Sequence, residues 1–207
     1  EPTIKNGKEH FKAITWSGDG TQGRNIAGLE FQPDLVWIKR RNGANQHNLY
    51  DSIRGVTKHL TPDNVYGEST TANSLTAFNS DGFQVGTGAS DNTSSPASTY
   101  VAWCWKAGGT AVSNGNGSIT SSVSANTDAG FSIVSYTGTG SNATVGHGLN
   151  SAPEFVITKE RNNTRNWGVY HKGSGNNNIL FLNLANAKSA AAEYWQNTDP
   201  TASVFSI

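Results

Sequence analysis

Displaced by 120 positions, the chain matches itself without a gap over residues 11–50, with eleven identities in forty positions. Phe11 falls on Phe131, Gly18 and Gly20 on Gly138 and Gly140, and Gly28-Leu29 on Gly148-Leu149. Pro33, Val36, Lys39, Arg41-Asn42 and Tyr50 fall on Pro153, Val156, Lys159, Arg161-Asn162 and Tyr170. Identities at glycine, proline and aromatic positions point to a duplicated domain, and a repeat of this kind sets the architecture before any local reading does. The copies end differently. Copy one passes Phe83-Gln84-Val85 and continues to a last strand-like run at 100–106. In copy two, Phe205-Ser206-Ile207 takes the place of Phe83-Gln84-Val85, and a counterpart of 86–106 is missing.

Period and punctuation assign the elements. Residues 11–16 and 131–136 are short, β-branched and aromatic-rich, and each runs into Ser/Thr-Gly-x-Gly, a strand followed by a turn. Leu35-Val-Trp-Ile38 and Phe155-Val-Ile157 follow a proline at the strand entry, where its missing N–H is harmless. The run from Tyr100 alternates, placing Val101, Trp103 and Trp105 on one face. Residues 186–195 have helix composition, with Asn186 as a plausible N-cap. The expected fold is all-β: two tandem jelly-roll or β-sandwich domains, the second lacking its last strand. Residues 1–106 form the first, 107–130 a Gly/Ser/Thr/Asn-rich linker with one short edge strand around 119–123, and 131–207 the incomplete second.

Charged residues make up 14 % of the chain, against ~25 % in an average soluble domain, so neutral amides and hydroxyls carry its solubility. Fifteen basic residues balance fifteen acidic ones, which argues against nucleic acid or an anionic membrane as partner. Lys39-Arg40-Arg41, the tight basic cluster, reads as a solvated strand end. No apolar run approaches the ~18 residues of a membrane span. The single Cys104 has no internal disulfide partner, and a chain without Met that begins at Glu1 reads as a processed product or a fragment.

The residues now suggest a family. In order they include Trp16-Ser-Gly-Asp-Gly-Thr, Phe31-Gln-Pro-Asp-Leu-Val-Trp-Ile-Lys39, Leu49-Tyr-Asp-Ser-Ile-Arg-Gly55 and Asn79-Ser-Asp-Gly-Phe83. Tyr100-Val-Ala-Trp-Cys-Trp-Lys-Ala-Gly-Gly109, Ala129-Gly-Phe-Ser-Ile-Val-Ser-Tyr-Thr-Gly-Thr-Gly140 and Val145-Gly-His-Gly-Leu149 follow. The series resembles a repeat family of tailed-phage virion proteins, especially of aquatic phages, described as tail fibres or structural proteins with lectin-like β-sandwich modules. The resemblance implies a virion-surface location, host-receptor or glycan engagement, other virion proteins as neighbours, and a homo-oligomer, expected to be a trimer by family analogy.

Signals for catalysis are poor, and no enzymatic activity and no cofactor is expected. A jelly-roll glycan hydrolase would set carboxylates at alternate positions of one strand; Asp34 and Glu154, equivalent by the repeat, each stand alone at a strand entry. The five histidines never fall at metal-ligand spacing and no Ca²⁺ loop is present, so no metal is expected. Cys104 between two tryptophans reads as a buried small hydrophobe, and His147 between two glycines as a turn residue. Asp51-Ser-Ile-Arg54-Gly55 is the densest polar constellation. It reads either as a local pair fixing a turn or as a ligand contact through Asp51 and Arg54. Trp37, Trp103 and Trp105 are assigned to core or inter-sheet packing. Trp167, Tyr170, Tyr194 and Trp195, among asparagine-rich loops, have the chemistry of a sugar-stacking surface, with core packing as the other reading of Trp167 and Trp195.

The expected function is a non-enzymatic virion surface protein engaged in host-surface adhesion. The alternative is a self-assembling filament or coat subunit joined by inter-subunit strand addition, motivated by the missing strand. A polysaccharide depolymerase is least favoured.

Overall fold

A computed structural model describes residues 6–92 and 97–207. The first half carries nine strands: β1 (Phe11–Ser17), β2 (Arg24–Ala27), β3 (Leu35–Arg40), β4 (Asn48–Asp51), β5 (Lys58–His59), β6 (Ser69–Thr70), β7 (Leu75–Asn79), β8 (Gly82–Val85) and β9 (Thr99–Trp105). The second half carries β10 (Val112–Asn114), β11 (Ser121–Asn126), β12 (Phe131–Tyr136), β13 (Thr144–Gly146), β14 (Phe155–Thr158), β15 (Gly168–His171), β16 (Asn178–Phe181), β17 (Ser189–Ala190) and β18 (Val204–Ser206). Short 3₁₀ turns are the sole helical elements among the described residues, and no helix there is long and apolar enough to cross a membrane. The fold is all-β, of the β-sandwich class, and built from antiparallel sheets.

In the first half a four-stranded sheet, ordered β1-β9-β3-β4, faces a three-stranded sheet, β2-β8-β7. One apolar cluster fills the space between them. Trp16, Val36, Ile38, Tyr50, Tyr100, Ala102 and Cys104 come from the larger sheet, and Ile26, Leu75, Phe83 and Val85 from the smaller. Alternation along β9 is therefore real, but its inward face is Tyr100-Ala102-Cys104, while Val101, Trp103 and Trp105 point outward and are only half-buried. Of the expected core or inter-sheet packing of Trp37, Trp103 and Trp105, the core part is corrected, while Trp105 does pack between sheets, stacked on Phe131 of β12. Two facing sheets stand ~10 Å apart; with Tyr50, Tyr100, Trp16 and Phe83 already filling that layer, small Ala102 and Cys104 fit where indoles would not. At the β8 entry only glycine serves: a Cβ on Gly82 (φ 154°) would lie 2.0 Å from the Ile26 carbonyl oxygen.

The second half echoes this arrangement in part. Val36 faces Tyr50 in the β3–β4 pair, and Val156 faces Tyr170 in the β14–β15 pair, with the same register along both pairs. The apolar pair Ile26–Phe83 of β2–β8 is answered by Val145–Phe205 of β13–β18. The sheets, however, are broken up into β10-β11-β12, β13-β18 and β14-β15-β16-β17.

Two expected features differ. The 107–130 segment holds two strands, β10 and β11, not one short one, and β11 pairs over six residues with β12. Residues 186–195 form no helix: β17 pairs with β16 and Ala192–Tyr194 closes as a single 3₁₀ turn. Alanine-rich composition favours helix, but ten residues are too few to hold a helix without tertiary support, and here sheet pairing takes the backbone.

Candidate functional site

Asp51 ends β4, and its carboxylate turns the chain. Its Oδ1 accepts the Arg54 backbone N–H at 2.8 Å, its carbonyl accepts the Gly55 N–H at 3.1 Å, and Gly55 takes the left-handed φ of 88° that completes the turn. The Arg54 side chain folds back to donate through Nε to Asp51 Oδ2 and through Nη2 to the Leu49 carbonyl at 2.8 Å. Its remaining arm meets Glu68 at 3.3 Å, and Glu68 in turn receives both prongs of Arg161. Asp51 and Arg54 are buried, so this constellation is a charged strut from the first half to the second. Burial favours the turn-fixing reading of Asp51 and Arg54 over ligand contact. Glu68, which closes the strut, carries no sequence signal of its own. Burial pushes its carboxyl up, but the hydrogen bonds and charges of Arg161 and Arg54 outweigh this and hold it below its usual range.

Of the aromatic candidates, Tyr194 is 42 % exposed and meets Phe181 edge to face, while Trp167, Tyr170 and Trp195 are buried. Trp167 is 3 % exposed, and its indole N–H points to the carbonyl oxygens of Thr61 (3.1 Å) and Asn64 (3.0 Å) in the first half. Tyr170 and Trp195 pack edge to face, with ring centroids 5.8 Å apart, inside the small core of the β14-β15-β16-β17 sheet. The Tyr170 hydroxyl donates to Asp199 at 3.0 Å; burial first, then the Asp199 carboxylate, pushes it up to about 12. None of the three offers a face to solvent, so their sugar-stacking reading lacks the exposed ring it requires. Trp167 and the Arg54 strut lie together at the junction of the halves; Tyr170 and Trp195 stand apart from it.

Other single residues resolve into structural roles. Asp34 is a buried anchor, not an edge residue: its carboxylate accepts from Ser52 Oγ (3.0 Å) and from the N–H groups of Ala107 (2.8 Å) and Gly109 (3.3 Å). Glu154, its counterpart by the repeat, is exposed and pairs with Lys172 at 2.8 Å. His147 is buried too, accepting the Leu149 N–H at Nδ1 and meeting the Thr201 carbonyl through Nε2. Burial of Cys104 pushes its thiol up to about 12. Asp91, wholly buried, is pushed up to about 6, since hydrogen bonds from Tyr50 (2.9 Å) and Asn48 (3.3 Å) offset only part of its desolvation. Among the described residues, no three His, Cys, Asp or Glu side chains converge to hold a metal ion.

What remains open is the outer face of the β1-β9-β3-β4 sheet. Strand register sets Ala13, Trp103, Trp37 and Leu49 side by side across four strands. The two indoles meet edge to face at 6.3 Å, and Trp37 Nε1 donates to His47 Nδ1 at 2.9 Å. That bond leaves the imidazole proton on Nε2, and burial lowers the affinity of His47 for a second proton. One register step away Phe11 lies against Trp105, which stacks on Phe131 of the second half at 6.2 Å. The result is an aromatic ledge with Thr15, Ser17 and Lys39 on the same face. Chemically it can stack on a planar or CH-rich ring and hydrogen-bond at its margin.

These features define an all-β protein of two joined halves whose ion pairs and buried carboxylates serve structure. The chain belongs to a family described as a domain of unknown function, DUF7483, which spans residues 6–207. No curated protein and no solved structure gives a significant match.

Proposed function

We propose that the chain is a non-enzymatic phage virion surface protein, a tail fibre or related component, that adheres to glycan on the host surface. The observation that carries this reading is the outer ledge of Trp37 and Trp103, half-buried on the solvent side of the four-stranded sheet, with Phe11, 40 % exposed, on the same face. Aromatic rings on a flat support present an apolar face to the CH side of a sugar, and neighbouring neutral polar groups take its hydroxyls. The setting comes from the resemblance of the motif series to tailed-phage virion repeats. A balanced, charge-poor surface suits weak contacts multiplied by homo-oligomeric display, trimeric by the same analogy. The carboxylates that a hydrolase would need are engaged otherwise: Asp51 and Glu68 in the strut, Asp34 on backbone N–H groups, and Asp91 in the core.

The test is a glycan array probed with the chain displayed multivalently. Saturable binding to a defined group of neutral glycans supports adhesion. A blank array together with no retention on host envelopes counts against it, and turnover of any bound polysaccharide would move the protein to the depolymerase class.

A further inference from the structure

The two halves differ in one respect that the strand orders make plain. In the first, β9 lies between β1 and β3 and pairs antiparallel with both. In the second, β12 and β14 are the counterparts of β1 and β3, yet among the described residues β12 pairs only with β11 and β14 only with β15. Each therefore keeps one edge without a neighbouring strand, and these two edges flank a place that β9 fills in the first half.

Side-chain burial marks the same place on both faces. Facing inward, Val36 is fully buried beneath β9, whereas Val156 is half-buried; Trp16 is 9 % exposed, whereas Tyr136 is more open. The core is divided too. Val134 and Tyr136 border one cluster, Tyr170, Ile179, Ala191 and Trp195 form another, and Val156 alone touches both, where the first half has a single cluster joined through Tyr100, Ala102 and Cys104. Facing outward, Leu35 and Trp37 are half-buried beside their cross-strand partners Trp105 and Trp103, while Phe155 and Ile157 stand 54 % and 37 % exposed. At one end the long Arg161 side chain reaches Ser135 Oγ at 3.4 Å, a span that directly paired strands would not need.

We infer that the slot between β12 and β14 accepts one extended strand that residues 6–207 of the same chain do not supply, running antiparallel to both and carrying the chemistry of β9. Unpaired N–H and C=O groups on the two edges supply the main-chain bonds. Small or aromatic side chains at alternate positions, as at Tyr100, Ala102 and Cys104, close the divided core, and bulky ones on the other face cover Phe155 and Ile157. The register follows from β9: the incoming residue equivalent to Trp103 lies between Ile133 and Ile157, because Ala13 and Trp37 flank Trp103 in the first half. This inference is independent of the adhesion reading; the slot involves neither Trp37 nor Trp103.

The test adds a synthetic peptide with the sequence of residues 97–107, Cys104→Ala, to the full chain. Expected results are saturable one-to-one binding, slowed hydrogen exchange at the amides of Val134 and Ile157, and binding of a scrambled peptide weaker by about tenfold or more. Register is read by disulfide trapping. A peptide carrying Trp103→Cys should cross-link to I133C and to I157C chains alike, since cross-strand neighbours fall within disulfide reach, while peptides with the cysteine at position 102 or 104 should not. No saturable binding, equal binding of the scrambled peptide, or cross-linking without regard to position would each overturn the proposal. So would a dimer formed without peptide in which those amides are already protected, because a second copy would then hold the slot.

Discussion

Glu68 and Arg161, 93 residues apart in the chain, meet through two hydrogen bonds of 3.0 Å each, Nε to Oε2 and Nη2 to Oε1. A forked guanidinium–carboxylate contact of this kind is strong because both donors align on one charged plane. Glu68 also receives Arg54, so a single carboxylate joins a buried arginine of the first half to a surface arginine of the second. Removing the carboxylate should cost more than removing its outer partner. Glu68→Gln is expected to lose about 2–3 kcal/mol, since it leaves buried Arg54 with part of its charge unmatched. Arg161→Ala, 38 % exposed at the side chain, should lose about 1 kcal/mol. Urea unfolding of both variants checks the order; equal losses would place the energy in the outer arm alone.

Trp167 and Trp195 offer a paired test of the junction. Both are buried, but the Trp167 N–H is bonded to Thr61 and Asn64 while the Trp195 N–H has no partner among the described residues. Replacing Trp167 by Phe removes ring area and also strands two carbonyl groups, and should cost about 1–2 kcal/mol more than Trp195→Phe. Denaturant midpoints with unchanged slopes would report this. An equal cost would mean that the junction bonds contribute nothing beyond packing.

Asp91 makes stability fall as pH rises. Its carboxyl is pushed up to about 6 in the fold, against about 3.9 in an unfolded chain, so the native state holds the proton more tightly. The contribution is fully present below the unfolded value and lost as pH rises through about 6, at an order-of-magnitude cost of about 3 kcal/mol. Glu68, held below its usual range, acts in the opposite sense: its contribution is present at neutral pH and lost on acidification. Asp91→Asn should flatten the decline between pH 4 and 7 and leave the acid limb in place. An unchanged slope in the variant would contradict the assignment.

Cys104, buried with its thiol pushed up to about 12, is protonated and shielded at pH 8. A thiol reagent should therefore label the native chain no faster than it unfolds, and label the urea-unfolded chain at once. Rapid labelling of the native chain would show that β9 is open to solvent.

Much of this fold could be read from the residues, and the exceptions share a cause. Short β-branched runs and glycine turns locate β1, β3, β12 and β14, and the 120-residue offset foretells that the β3–β4 and β14–β15 pairs keep one register. Alternation along β9 separates Tyr100, Ala102 and Cys104 from Val101, Trp103 and Trp105, but a period has no sign. Size suggested that the tryptophans go inward, and the packing between the sheets puts them outward. The candidate residues suffered from the same gap. Asp51 with Arg54 was legible as a turn; Glu68 and Arg161, which make it a strut, come from distant segments without a local pattern. Equivalence by repeat also overstated Asp34 and Glu154, one buried on backbone N–H groups and the other an exposed partner of Lys172. Burial of that kind depends on what packs above a residue, which neither its own identity nor its spacing records.

The most direct measurement for the functional account is binding of the multivalently displayed chain to host envelopes or to an array-selected glycan, comparing wild type with Trp37→Ala, Trp103→Ala and Trp167→Phe. The ledge reading predicts that each alanine variant loses about tenfold or more in apparent affinity, as expected for lost ring stacking, with little change in stability, while Trp167→Phe binds as wild type. Full binding by both alanine variants, or a loss confined to Trp167→Phe, would contradict it.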